Sequence, residues 1–385
     1  MQLLRRGDNG RAVVEVRATL RQFGLLRAAQ PGVPEDRFDL GVEDAVRAFQ
    51  QQRGLITDGI VGPATYRALR EAGWTLGDRM LSLMISAPMS GDDVTMLQER
   101  LLELGFDPGR PGGVFDERTE TALRSFQREY GLVPDGLCGP VTLRSLKQLG
   151  RKVTGGRPHL LREQELLREA GPRMRGKRIV VDPGHGGLDR GVTVNGVTEA
   201  DLMWDLARRL VGRMTATGME AMLSRREDTN PSDAERATFA NNAGADLVLS
   251  LHTDANHSMH AQGLATFHFG NGSGSTSTVG EALAGLIQRE LLTRTPLVDC
   301  WSQGRTWELL RLTRMPTVRV EIGYLTNLGD KKMLLDPQFR DIVAEGILVG
   351  VKRLYLLGQD DQPTGTFTFY DVLARELERG GAQAI

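Results

Sequence analysis

The chain repeats itself, and this self-similarity limits its fold more than any other feature. Ala45 to Thr65 recurs as Ala122 to Thr142 at a constant offset of 77 residues, keeping Phe49-Gln50 with Phe126-Gln127, Asp58-Gly59 with Asp135-Gly136, and Gly62-Pro63 with Gly139-Pro140. Upstream the match continues to Phe23-Gly24 and Leu104-Gly105 at an offset of 81, so the loop joining the two halves is four residues longer in the first copy. Length drift of that kind belongs to a surface connection. Two copies of one small unit cannot fill 385 residues. At about 100–200 residues per domain, a larger domain must follow them.

Each copy is expected to form three short helices. In the second, Val94, Leu97, Leu101 and Leu104 fall on one helical stripe that ends at Gly105. Asp116 is placed to N-cap an amphipathic run through Ala122 and Phe126, ended by Gly131. Pro140 opens a third helix carrying Leu143 and Leu146 inward, and the Asp-Gly pairs supply tight turns. The pattern Phe-Gln-x-x-x-Gly-Leu-x-x-Asp-Gly-x-x-Gly-Pro-x-Thr resembles the peptidoglycan-binding-like domain, a three-helix module found in tandem on cell-wall hydrolases. The expected copies span 1–76 and 81–150. A repeated turn motif needs its glycines for backbone reasons alone, so wall binding is implied here by the resemblance only. From 151 to 177 the texture becomes basic, with a short helix near Leu160–Ala170, and reads as a linker or a docking surface for an acidic partner.

Beyond the linker, strand-like and helix-like runs alternate. Arg178 to Val181 reads as a buried strand running into Asp182-Pro183-Gly184-His185-Gly186-Gly187. An amphipathic helix through Leu202, Leu206 and Leu210 follows, then a strand near Glu220–Ser224, a helix through Arg236 and Ala240, and a strand Leu247–Leu251. The expected fold is an α/β catalytic domain, a mostly parallel sheet flanked by helices over 178–357, preceded by the two small all-α domains. In such sheets ligands lie beyond the carboxyl ends of the strands. His185 and His252 both stand at strand ends, Glu199 opens a helix, and Glu321 ends the strand Thr317–Val320. Two imidazoles and a carboxylate are a donor set for a catalytic zinc, with the remaining carboxylate available as a base. Spacings of 14, 53 and 69 residues would not single these four out unaided.

A resemblance does single them out. Val181 to Gly187, Glu199, Ser224-Arg225-Arg226-Glu227-Asp228, Ser250-Leu251-His252 and Val320 to Asn327 resemble, in that order, the zinc-dependent N-acetylmuramoyl-L-alanine amidases of the amidase 3 type. The resemblance implies one zinc ion on His185, Glu199 and His252, Glu321 as the catalytic carboxylate, and peptidoglycan or muropeptide as substrate. Asp182 is expected to orient a ligand histidine. Arg319 departs from the family pattern, which has an apolar residue there. Residues i and i+2 of a strand share a face, so Arg319 is placed to lower the pKa of Glu321, to grip a substrate carboxylate, or to pair with an unrelated acid. The glycines around His185 do not read as a phosphate loop, since no Lys follows. His257 and His260 are expected in a solvated loop, His268 on a sheet face and His159 in the linker.

Total charge offers no partner: 48 Lys and Arg stand against 49 Asp and Glu, a net charge of -1, which argues against nucleic acid and anionic lipid. The two cysteines, Cys138 and Cys300, are expected as thiols. No leader or membrane span is legible, so a cytoplasmic location is expected unless another route exports the chain. The segment 358–385 reads as a flexible tail with a short amphipathic helix at about Asp371–Arg379. Its Thr364, Thr366 and Thr368 are candidates for phosphorylation, read by a phosphothreonine-binding domain. Tandem modules, no leader and this tail also resemble a group of amidase-like actinobacterial proteins. That group implies a cytoplasmic regulator of peptidoglycan precursor synthesis, acting on the UDP-N-acetylglucosamine carboxyvinyltransferase MurA. Both readings, amidase and regulator, stand at this point.

Overall fold

A computed structural model describes residues 3–27, 34–84, 86–149, 158–271, 275–356 and 364–381. The chain divides into two compact units, Met1–Leu161 with Gly270–Ser275, and Arg162–Phe269 with Thr276–Ile385.

In the first unit each repeat is a trio of helices, α1 (Arg11–Gln22), α2 (Leu40–Gln52) and α3 (Pro63–Ala72), then α4 (Asp92–Glu103), α5 (Glu117–Glu129) and α6 (Pro140–Gln148). Asp116 caps α5 by accepting from Thr119 N, and Asp39 caps α2 from Val42 N. The expected stripe of Val94, Leu97, Leu101 and Leu104 is buried, as is Leu146, while Leu143 is half-buried. The repeated glutamine is the hub of each copy. Gln127 donates to Asp135 Oδ1, the Leu137 carbonyl and Thr142 Oγ1, and accepts from Gly136 N; Gln50 makes the same four bonds to Asp58, Ile60, Thr65 and Gly59. A buried amide with both its NH2 group and its carbonyl oxygen engaged fixes the turn, and the turn needs positive φ at Gly59 (76°) and Gly136 (73°). The motif is thus a local folding device.

The division falls within α7 (Pro158–Glu169), inside the expected linker, and its Glu163, in the second unit, accepts from Ser277 Oγ and Val279 N. Residues 151–157 and the side chain of His159 lie outside the described residues. The sequence continues as β1 (Arg178–Pro183), a small hairpin of β2 (Thr193–Val194) and β3 (Val197–Thr198), α8 (Glu199–Ala216), β4 (Glu220–Leu223) and α9 (Asp233–Asn242). There follow β5 (Leu247–Asp254), β6 (Leu264–Phe269), α10 (Thr278–Arg294), β7 (Asp299–Arg305), α11 (Glu308–Leu312) and β8 (Thr317–Tyr324). The chain ends in α12 (Leu328–Leu335), α13 (Pro337–Tyr355) and α14 (Phe369–Gly381). The main sheet has the order β4-β1-β5-β8-β6-β7; the first four strands are parallel, and β6 runs against β8 with β7 parallel to β6.

Alternation sorts the side chains of each strand between two faces. Ile179, Val181, Leu247, Leu249, Leu251, Val318, Val320 and Ile322 point into the large core under α8, α10 and α13. The residues between them face the other way: Val180 and Val248 reach Ala240 of α9, and Ser250, His252, Arg319 and Glu321 follow by parity. Ser250, His252, Arg319 and Glu321 therefore share one face of the sheet.

The expected flexible tail is corrected in part. Residues 364–381 pack on the second unit, with Phe367 and Val372 buried in its large core. Lys352 Nζ lies 3.5 Å from the Phe367 ring centre, and Gly365 N donates to the buried Glu290 (3.2 Å). Sequence showed the polar composition of this segment but not the apolar seat awaiting two of its residues.

Candidate metal centre and active site

His185 and His252 come from loops and strands that the sheet brings side by side. β1 pairs with β5, so Pro183 lies opposite Leu251 and the two histidines follow just beyond. Their rings stand 5.3 Å apart at 78°. Glu199 begins α8 directly after its N-cap Thr198, where the helix dipole favours negative charge. The carboxylate reaches between the imidazoles, 3.3 Å from His185 Nε2 and 2.9 Å from His252 Nδ1, and it also accepts from Val192 N and Thr253 N. Ligand atoms of these three residues lie within 4.8 Å of one another, the only such grouping of metal-binding side chains among the described residues.

The surroundings fit a resident cation. Burial works against the charge of Glu199, yet its bonds to His185 and His252 hold it well below the usual carboxylate range. Burial, with help from Arg319, pushes His252 down to about 4, which keeps the ring neutral as a ligand must be. His185 is raised by its bond to Glu199, so loading a cation there displaces a proton. Space around the trio is exact: a Cβ on Gly184 would sit 2.2 Å from the His252 ring, and one on Gly191 would sit 2.6 Å from His185 and 2.7 Å from Glu199.

His185 itself is left-handed, with φ 57°, a strain that needs support. That support is a pair of buried arginines. Arg236 donates to the carbonyls of Pro183 (3.0 Å) and His185 (2.9 Å), and Arg225 to those of Pro183 (2.8 Å) and Gly184 (3.2 Å). Here Asp182 takes a different role from the one expected. It touches neither histidine; it is fully buried among Arg236 (2.6 Å), Ser250 (2.7 Å) and Ser224, and so fixes the arginine that holds the loop. Burial opposes its charge, but Arg236 and the two serines keep the carboxyl below its ordinary range. The residue that holds the His185 ring is Asp189, whose Oδ2 lies 2.8 Å from His185 Nδ1. An acid four residues after His185 was the available signal.

Glu321 lies in register with His252 on the neighbouring strand and is buried on the same face. Arg319 does approach it: Nη2 and Nε lie 2.9 and 3.1 Å from Oε1, and the guanidinium is seated 4.6 Å from the Trp307 ring centre. Burial pushes the Glu321 carboxyl up while Arg319 pulls it back. The second oxygen, Oε2, is left outside that pair.

Other expected residues lie elsewhere. His257 and His260 are exposed in the loop after β5, and His268 is buried on the opposite face of β6 from Glu321. Cys138 and Cys300 are free thiols. Thr368 caps α14 by accepting from Asp371 N while its hydroxyl donates to Asp371 Oδ2 (2.6 Å); Thr364 is half-buried and Thr366 exposed. No described helix is long and apolar enough to cross a membrane.

Residues 179–353 match the N-acetylmuramoyl-L-alanine amidase family, and residues 9–69 and 90–146 match the peptidoglycan binding domain family. The chain is 56% identical to N-acetylmuramoyl-L-alanine amidase CwlM of Mycobacterium tuberculosis, over 98% of this chain and 96% of that protein. It is 33% identical to N-acetylmuramoyl-L-alanine amidase LytC of Bacillus subtilis, over 47% of this chain and 36% of that protein. Among solved structures, the N-acetylmuramoyl-L-alanine amidase of Clostridium difficile 630 is 28% identical with a TM-score of 0.45, covering 49% of this chain and 100% of that one.

Proposed function

The chain belongs to the N-acetylmuramoyl-L-alanine amidase family, and on that premise we propose that it hydrolyses the amide between the lactyl carboxyl of N-acetylmuramic acid and L-alanine, in peptidoglycan or muropeptides, with one zinc ion as cofactor. The observation that carries the proposal is the convergence of His185, Glu199 and His252 beside Glu321, on one sheet face at the strand ends. His185, Glu199 and His252 would hold the ion. Zinc, when bound, supplies a Lewis acid that polarises the amide carbonyl and brings the pKa of water toward about 7.

The chain's own groups do the rest. Glu321 takes the proton of the attacking water on its free Oε2 and returns it to the departing amine of L-alanine, without which that amine is a poor leaving group. Arg319 keeps Oε1 fixed, so one oxygen is left to move the proton. Asp189 holds the His185 ring, and the Asp182–Arg236–Arg225 group holds the backbone beneath it. The two N-terminal modules keep the chain on its polymeric substrate; two copies of a peptidoglycan-binding family in tandem support this.

Replacing Glu321 with Gln removes the proton carrier while keeping size and hydrogen bonding. Release of peptide from purified muropeptide is expected to fall by on the order of 10²–10⁴, with the zinc content of the protein unchanged. Undiminished hydrolysis in this variant would falsify the assignment.

A further inference from the structure

Arg305 ends β7 on the same sheet face as Glu321, and among the described residues no acid holds it. Register fixes the face: Ala265 lies opposite Glu321, Phe267 opposite both Arg319 and Gln303, and Phe269 opposite Arg305. The Arg305 guanidinium donates only to Gln303 Oε1 (2.5 Å) and the Gly304 carbonyl (3.1 Å), and its Nε is buried without a hydrogen-bond partner. Arg305 lies 5.4 Å from the ring centre of Phe267, which packs 4.6 Å from Trp307, which in turn carries Arg319 at 4.6 Å. Two guanidiniums thus bracket an aromatic wall beside the catalytic carboxylate. Arg319 is occupied by Glu321. Arg305 has no ion pair among the described residues, and the acid whose field reaches it is Glu321. A half-buried cation without a counter-ion is costly to keep, and an arriving carboxylate relieves that cost through the paired donors of a guanidinium.

We propose that Arg305, with Phe267 and Trp307, forms a subsite for a carboxylate of the peptide that leaves in the reaction. The proposal rests on the amide hydrolysis argued above, and the chemistry of that substrate chooses the side. The carboxyl of N-acetylmuramic acid is consumed in the scissile amide, so the free carboxylates of the substrate lie on the peptide. The half-buried Trp307 ring, backed by the buried Phe267, packs the aliphatic stretch that carries them.

The product dipeptide tests this without turnover. L-alanyl-D-glutamate and its diamide are titrated calorimetrically into the full-length protein loaded with zinc. The acid is expected to bind roughly tenfold or more tightly than the diamide. Arg305→Gln abolishes that preference, and Arg305→Lys, which keeps the charge but not the fork, retains part of it. Equal binding of acid and diamide by the unaltered protein overturns the proposal, as does an acid preference that survives Arg305→Gln. Should Arg305→Gln melt early, the comparison of acid with diamide on the unaltered protein still decides. Hydrolysis of N-acetylmuramoyl-L-alanyl-D-glutamate is followed in parallel. Turnover without acid preference removes the subsite and leaves the amidase; acid preference without turnover removes the amidase reading and leaves the subsite.

Discussion

Glu321 is governed by two neighbours' influence in opposite directions. Burial favours its protonated form, and Arg319 at 2.9 Å favours the carboxylate. The proton-accepting form is the carboxylate, so activity is lost as pH falls through the pKa of this group. Replacing Arg319 with Leu withdraws the favourable charge, the pKa rises, and the acid limb of kcat/KM moves to higher pH; a limb that stays in place counts against the pairing. Gly191 governs a different property, the space around the ligands. A methyl there would meet His185 and Glu199 at φ +63°, so Gly191→Ala is expected to lower zinc affinity roughly 10–100-fold, read by competition with a chelating dye. Affinity equal to that of the unaltered protein would show that the ligands tolerate the displacement. Of these residues, Arg319 was legible because strand parity places i and i+2 together. Gly191 was not, because its role depends on how the loop after β1 folds back on the histidine, and Asp189 left only the local signal of an acid four residues after His185.

Helix α14 shows what element-level reading can miss. Its amphipathic pattern was legible, and so was its helical character. Its attachment was not, since that depends on a seat built by α10 and α13, far away in sequence. Phe367 is 7% exposed and fills that seat with Lys352 above its ring. Truncating it leaves a cavity, so Phe367→Ala is expected to destabilise the second unit by about 3 kcal/mol, measured by urea unfolding. A loss near zero would restore the view of a free tail. The helical repeats behave oppositely: the Asp-Gly turn and the Thr after Gly-Pro both meet the motif's glutamine within a single copy, so the motif and its structure are nearly the same statement.

Across the whole molecule, the donor trio belongs to the second unit alone, so metal should stabilise one part of the chain and spare the other. A ligand that binds only the folded state at a hundredfold excess over its Kd adds about 2.7 kcal/mol. Calorimetry with and without zinc is expected to shift the transition of the second unit upward and leave that of the helical repeats in place; a shift of both, or of neither, contradicts the assignment. The sequence by itself determined the tandem modules and the α/β class of the third domain, through the period of apolar residues, the turn chemistry and alternating strand and helix patterns, while the resemblance of its short motifs pointed to the four candidate residues at the centre. Only the tertiary structure decided that Asp182 braces an arginine instead of a histidine, that Asp189 bonds the His185 ring, that residues 364–381 are seated, and that Arg305 shares the sheet face of Glu321 with no ion pair among the described residues. The reason is physical. Most of those facts are contacts between segments distant in sequence, brought together by the sheet, and even the four-residue reach from Asp189 to His185 depends on how the loop after β1 folds; no local propensity encodes which side chain will find a partner and which will be left without one.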